Sequence, residues 1–192
     1  MIPNLVSGLR LALAPVLLVL AWSGRSGLFL ACLIASLVTD AADGLLARRL
    51  NQATSLGAKL DSWGDFITAL ALPFCGWWLR PEAVRQEALY LAAGICVYLG
   101  AVVVGFCKFR RLTSYHTWGA KLSAILFGAA VLGFFAGGPS WGLRLAMPIV
   151  VLASLEEIVI TVTLPELQAN VPSLWHALRI RQQARNGSRN PL

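Results

Sequence analysis

Six long apolar stretches, at residues 7–22, 27–47, 57–79, 86–107, 118–137 and 142–164, follow one another along this chain. The dividers between them, 23–27, 48–56, 80–85, 108–117 and 137–141, concentrate Gly, Pro and charge, the residues that punctuate helices. A helix needs about 20 apolar residues to cross a hydrocarbon core roughly 30 Å thick. The pattern therefore predicts an all-α integral membrane protein, with six transmembrane helices in a single domain over residues 1–192. Period-two alternation does not persist from stretch to stretch, which argues against a membrane barrel. No internal repeat and no low-complexity tract interrupts the series. Arg10 ahead of the run 11–22 imitates a signal peptide, but no small-residue cleavage pattern follows Trp22, so a retained helix is expected. Residues 171–185 read as a short interfacial helix, with Trp175 as anchor and Arg179, Arg181 and Arg185 toward anionic headgroups. A disordered tail is expected over 186–192.

Composition supports the membrane assignment. Hydrophobic residues make up 57% of the chain and charged residues 13%, with a mean hydropathy of +0.69, whereas soluble domains carry about 25% charge. A net charge of +7 and a pI near 9.8 would suggest nucleic acid as a partner of a soluble protein. The basic residues are instead sided. With six crossings, both termini share a face with the second–third and fourth–fifth loops. That face holds twelve of the sixteen Lys and Arg residues, leaving Arg25, Arg80, Arg85 and Arg144 on the other. The bias predicts that both termini are cytosolic, and no nucleic-acid partner is expected. The four cysteines, Cys32, Cys75, Cys96 and Cys107, lie scattered in apolar runs without metal or disulfide spacing.

The acids are the opposite of scattered. The chain has four aspartates, Asp40, Asp43, Asp61 and Asp65, and all fall on the second and third apolar stretches. One carboxylate at the bilayer centre costs about 2.5–3.5 kcal/mol, so four without partners would not be tolerated. At about 100° per residue, Asp40, Asp43, Gly44 and Ala47 share one arc of a helix, while Gly57, Asp61 and Asp65 form a stripe on the next. The small residues allow close approach on those faces. Facing stripes would bring four carboxylates around one point, where mutual repulsion demands a cation. Hard oxygen ligands suit Mg²⁺ or Mn²⁺, and the cluster can hold two ions. Ordinary ion pairs with Arg48, Arg49 and Lys59 would not explain why the acids are ordered in two helical pairs.

Asp40, Asp43, Gly44, Ala47 and Arg48, then eight residues, then Gly57, Asp61 and Asp65, resemble the signature of the CDP-alcohol phosphotransferases, D-x2-D-G-x2-A-R-x8-G-x3-D-x3-D. All eight fixed positions are met without a gap. The opening residues 2–7, with Arg10 beyond, resemble that family's amphipathic N-terminal stretch. The resemblance implies transfer of a substituted phosphoryl group, here a phosphatidyl group from CDP-diacylglycerol, to a small alcohol, with release of CMP. It implies metal ligation by Asp40, Asp43, Asp61 and Asp65, with Asp65 also the general base. It implies nucleotide and diphosphate contacts from Gly44, Ala47, Arg48, Asn4, Ser7 and Gly57. It further implies a homodimer working in the lipid bilayer, with the site on the cytosolic side.

An acceptor that carries its own phosphate, glycerol 3-phosphate or an inositol phosphate, needs an anion pocket. Lys121, inside an apolar helix pattern, and the cluster Lys108, Arg110 and Arg111 are the candidates. Glu156 and Glu157, in the sixth apolar stretch, are expected either to line the same cavity or to join helices by polar contact. Two other readings stand beside the enzyme: a divalent-cation transporter or channel built on the four aspartates, and an inactive scaffold of the same fold.

Overall fold

The computed structural model describes the backbone of residues 2–49, 55–113, 115, 117–168 and 171–187, and the side-chain surroundings of residues 12–39, 62–113, 115, 117–168 and 171–183. Helices α1 (Ile2–Trp22), α2 (Ser26–Arg49), α3 (Ser55–Leu79), α4 (Pro81–Gln86), α5 (Ala88–Phe109), α6 (Trp118–Phe135), α7 (Trp141–Thr163) and α8 (Leu174–Gly187) follow in order. No strand occurs among the described residues. Each of the six apolar stretches becomes one helix. Three of them, α5, α6 and α7, are long and apolar enough to cross a bilayer, while α1 and α2 contain the shorter apolar runs Ala12–Trp22 and Ser26–Thr39.

Local structure departs from expectation at three places. The amphipathic opening is not a separate element, because α1 is continuous from Ile2 and Pro3 sits in its first turn, where no backbone N–H is needed. The 80–85 divider contains a short helix, α4, started by Pro81 at its first position with Glu82 in the first turn. Helix α8 begins at Leu174, three residues into the expected 171–185 interval, and runs on through Asn186 and Gly187, which were expected in the disordered tail. The rest of that tail, 188–192, lies outside the described residues.

The chain divides into two compact units. In the first (residues 1–87 and 131–140), α1 packs along both α2 and α3. Ala14, Leu17, Ala21, Phe29, Leu33, Ala71 and Cys75 are buried in its core, and Phe29 meets Phe135 at 4.6 Å between ring centroids. The turn between α1 and α2 is closed by Gly24 at φ 71°. There Gly24 N–H bonds to Ala21 O and Arg25 N–H to Leu20 O, the paired bonds of a Schellman motif. Gly137, at φ 89°, ends α6 in the same way. The Arg80 guanidinium donates to the carbonyls of Phe134 and Gly138 and lies 4.8 Å from the centre of the Phe134 ring. The buried Glu87 accepts a hydrogen bond from Ser140 at 3.0 Å.

In the second unit (residues 88–130 and 141–192), α5 packs against α7, and α8 folds back onto the end of α7. Ala177 of α8 is buried with Tyr115, Ile160, Leu164 and Val171, flanked by Phe109, Leu174 and Ile180. Trp175, Leu178, Arg179 and Arg181 remain exposed. Burial in this cluster pushes the Tyr115 hydroxyl up from its ordinary value, so it stays protonated as it accepts from Thr161 Oγ1 at 3.1 Å. Along α5, α6 and α7 large apolar side chains such as Val103, Ile125, Leu145 and Leu152 point outward, the arrangement that a lipid surrounding favours.

Candidate active site

The motif stands on two uninterrupted helices. Asp40, Asp43, Gly44, Ala47 and Arg48 lie on α2, and Gly57, Asp61 and Asp65 on α3, so the i, i+3 and i, i+4 spacings are true helical registers. Helix α1 brings the two together in depth. Its turn with α2 is centred on Gly24, and equal steps of about 1.5 Å per residue put residues 4–7 of α1 level with residues 41–44 of α2. Cys75 Sγ of α3 lies 3.9 Å from the Leu17 carbonyl of α1. Helices α2 and α3 both pack along α1, so the two motif helices and the helix that begins with Asn4 and Ser7 belong to one unit.

Asp65 is exposed. Thr68 follows it on the same stripe of α3, and its Oγ1 is buried without a hydrogen-bond partner among the described residues. Trp63 points to another face, where its ring meets Phe66 edge-on at 6.0 Å between centroids. The side chains of Asp40, Asp43, Asp61, Arg48, Ala47, Asn4 and Ser7, and the surroundings of Gly44 and Gly57, lie outside the described residues. Among the described residues no group of three or more His, Cys, Asp or Glu is placed to hold a metal. The donor chemistry of the motif fits a hard divalent cation: all its acids offer oxygen, and the orphaned Thr68 hydroxyl extends the oxygen stripe.

The second unit holds the acceptor candidates and sorts them. Lys108 Nζ donates to the carbonyls of Thr161, Val162 and Leu164 at 2.9, 3.0 and 2.7 Å. Its three N–H donors thus meet the C-terminal end of α7. Arg110 and Arg111 are exposed in the loop after α5. Arg110 holds the left-handed conformation, φ 55°, and its N–H closes α5 onto the Phe106 carbonyl. Lys121 is exposed in the first turn of α6, with its ammonium 4.9 Å from the centre of the Trp118 ring.

Glu156 and Glu157 make polar contacts between segments. Glu157 Oε1 accepts from Thr113 Oγ1 at 3.2 Å. Glu156 accepts from the Thr117 hydroxyl at 3.1 Å and from the Leu174 N–H at 3.3 Å. The sequence carried only half of this signal, an acid pair in an apolar helix. The partners come from residues far along the chain.

A family model described as CDP-alcohol phosphatidyltransferase matches residues 1–165 of this chain. The chain belongs to the CDP-alcohol phosphatidyltransferase family. The match takes in the whole motif and all helices through α7, and α8 lies beyond it. Among curated relatives, a putative cardiolipin synthase of Mycobacterium bovis is 35% identical over 96 residues, 46% of this chain and 46% of the relative. The chain thus spans about half the length of the first relatives it matches. A probable phosphatidylglycerophosphate synthase of Mycobacterium tuberculosis is 29% identical over 171 residues, 82% of this chain and 76% of the relative. A CDP-diacylglycerol–glycerol-3-phosphate 3-phosphatidyltransferase of Salmonella choleraesuis is 36% identical over 98 residues, 45% of this chain and 53% of the relative. No solved structure matches the chain. As a member of this family with three helices long and apolar enough to cross a bilayer, the protein is an integral membrane protein.

Proposed function

We propose that this chain transfers the phosphatidyl group of CDP-diacylglycerol to glycerol 3-phosphate, releasing CMP. The observation that carries the reading is the complete motif on two helices of one unit, inside the stretch that the family model matches. Asp40, Asp43, Asp61 and Asp65 hold Mg²⁺ or Mn²⁺, two ions in the full complex. Held there, such ions would supply positive charge against the donor's diphosphate. Arg48 contacts the nucleotide phosphate, and Gly44, Ala47, Gly57, Asn4 and Ser7 shape the space around the nucleotide. The acceptor hydroxyl oxygen attacks the phosphorus that carries the diacylglycerol, and Asp65 takes its proton. As the new P–O bond forms, the bond to the CMP oxygen breaks, and CMP leaves with that electron pair. Positioning and charge neutralisation supply most of the acceleration in such transfers.

Lys121, Arg110 and Arg111 bind the acceptor's phosphate. All three are exposed, and Arg110 keeps a backbone conformation that a glycine would adopt more easily. Glycerol 3-phosphate is favoured over an inositol phosphate by the name of a relative aligned over 82% of this chain. Helices α1, α2 and α3 cross the bilayer with α5, α6 and α7, which makes six crossings in one domain. Both termini and the motif face the cytosol, where most Lys and Arg residues are predicted to lie. Helix α8 rests at the interface, and the enzyme works as a homodimer.

A second reading takes phosphatidylglycerol as acceptor, and the relatives named putative cardiolipin synthase favour it. Purified protein in nanodiscs, supplied with CDP-diacylglycerol, Mg²⁺ or Mn²⁺ and one acceptor at a time, separates the two through CMP release. Glycerol 3-phosphate is expected to give the highest rate, abolished by EDTA. Turnover with phosphatidylglycerol alone would install the second reading, and no CMP with any acceptor would sink both.

A further inference from the structure

The start of α6 is held by contacts that phosphoryl transfer does not itself require. Thr117 Oγ1 accepts the Ala120 N–H at 3.0 Å, while the Thr117 carbonyl accepts the Lys121 N–H at 3.0 Å. The Trp118 N–H reaches the Pro172 carbonyl at 3.3 Å, in the segment that leads into α8. Glu156 of α7 joins these contacts: one carboxylate oxygen accepts the Thr117 hydroxyl at 3.1 Å, and the other the first N–H of α8, at Leu174, at 3.3 Å. A carboxylate between two helix N-termini is favoured by both helix dipoles. Gly119 leaves room for it, since a Cβ there would lie 2.9 Å from Glu156 Oε2. Lys121 sits one turn from this junction, with its ammonium over the Trp118 ring. The orientation of the first turn of α6 thus decides where that ammonium is presented.

We propose that Glu156 is a positioning residue for acceptor binding, tying the first turn of α6 to α7 and α8 so that Lys121 meets the acceptor's phosphate at a fixed place. The inference rests on the reading of Lys121 as a phosphate ligand. Glu156 does not touch the acceptor. Losing it lets the first turn of α6 shift, which weakens acceptor binding more than the chemical step. The donor is held by the motif on α2 and α3, so its KM is not affected.

Steady-state kinetics of the full chain in nanodiscs test this, with CDP-diacylglycerol and glycerol 3-phosphate varied separately. Glu156→Ala is expected to raise the KM for glycerol 3-phosphate by about tenfold, with kcat and the donor KM little changed. Glu156→Gln rescues most of the loss. Its amide oxygen can accept from Leu174 N–H, and its NH₂ can donate to the second lone pair of Thr117 Oγ1. Thr117→Val, which removes the hydroxyl but adds no volume, and Gly119→Ala, which displaces the carboxylate, are expected to raise the same KM. These two carry the test if Glu156→Ala does not fold. The inference is overturned if the folded variants lower kcat or raise both KM values alike, or if Gln rescues nothing, since each outcome indicates general structural damage. Lys121→Ala separates the underlying reading. If it leaves the glycerol 3-phosphate KM unchanged, Lys121 is not a phosphate ligand and both ideas fall. If it raises that KM while Glu156→Ala does not, only the positioning role falls.

Discussion

Arg110 holds a left-handed backbone conformation, φ 55°, which costs an L-residue roughly 1–2 kcal/mol relative to its usual region. Glycine would close α5 there without that strain, although glycine loses about 0.5–1 kcal/mol more chain entropy on folding. Arg110→Gly is therefore expected to leave thermal stability equal or slightly raised, while the KM for glycerol 3-phosphate rises; thermal melting and kinetics on one preparation check both. A fall in stability with unchanged KM would assign the guanidinium a structural task instead. Asp65 gives a sharper result. It is exposed on α3, so Asp65→Asn removes the proposed base without leaving a buried charge unpaired. CMP release should fall by about 10²–10⁴-fold with the melting temperature preserved. Full activity in that variant would exclude Asp65 as the base.

At the scale of elements, the Lys108 ammonium near the end of α5 is tied to the end of α7. The last carbonyls of α7 have no partners within the helix, and the ammonium supplies three bonds to that end. Lys108→Ala should cost about 1–2 kcal/mol of stability and leave the acceptor KM unchanged, the reverse of the Arg110→Gly pattern. Chemical denaturation with parallel kinetics distinguishes them. The sequence showed the six long helices because each is a continuous apolar run bounded by Gly, Pro or charge, and those are local signals. It also carried the registers of the aspartates, since helical spacing is local too. It did not show that the Lys108 ammonium reaches Thr161, or that Glu156 reaches Thr117 and Leu174. Those pairings depend on how α5, α7 and α8 pack, and periodicity says nothing about which helices become neighbours. The short helix α4 was hidden for another reason: a divider rich in Pro and charge carries the same residues that start a helix.

At the scale of the whole molecule, the transporter reading and the enzyme reading share the aspartates but differ in what must surround them. A transport site needs access from both sides, commonly between repeats of inverted topology, and the sequence has no repeat. An enzyme that draws CDP-diacylglycerol from the bilayer and a soluble acceptor from the cytosol needs its motif near one surface. Six crossings with a cytosolic N-terminus place the 48–56 divider and the C-terminus on the same side, and the 80–85 divider on the other. Alkaline phosphatase folds to activity only outside the bacterial cytosol, whereas common fluorescent proteins mature inside it. Fused to the C-terminus, the phosphatase should be silent and the fluorescent protein bright; fused after Arg85, the pattern should invert. An active phosphatase at the C-terminus would mean an odd number of crossings, or reversed insertion against twelve of the sixteen Lys and Arg residues. An odd count would remove one of α1, α2, α3, α5, α6 or α7 from the membrane. The candidates to fail are the three that carry the motif and the start of α1, because α5, α6 and α7 already meet the length and hydropathy of a crossing. The same fusions therefore test whether a single one of those three helices stays out of the membrane, whereas a fusion within the 48–56 divider, expected to leave the phosphatase silent, tests whether α2 and α3, which bear the four aspartates, insert as a pair.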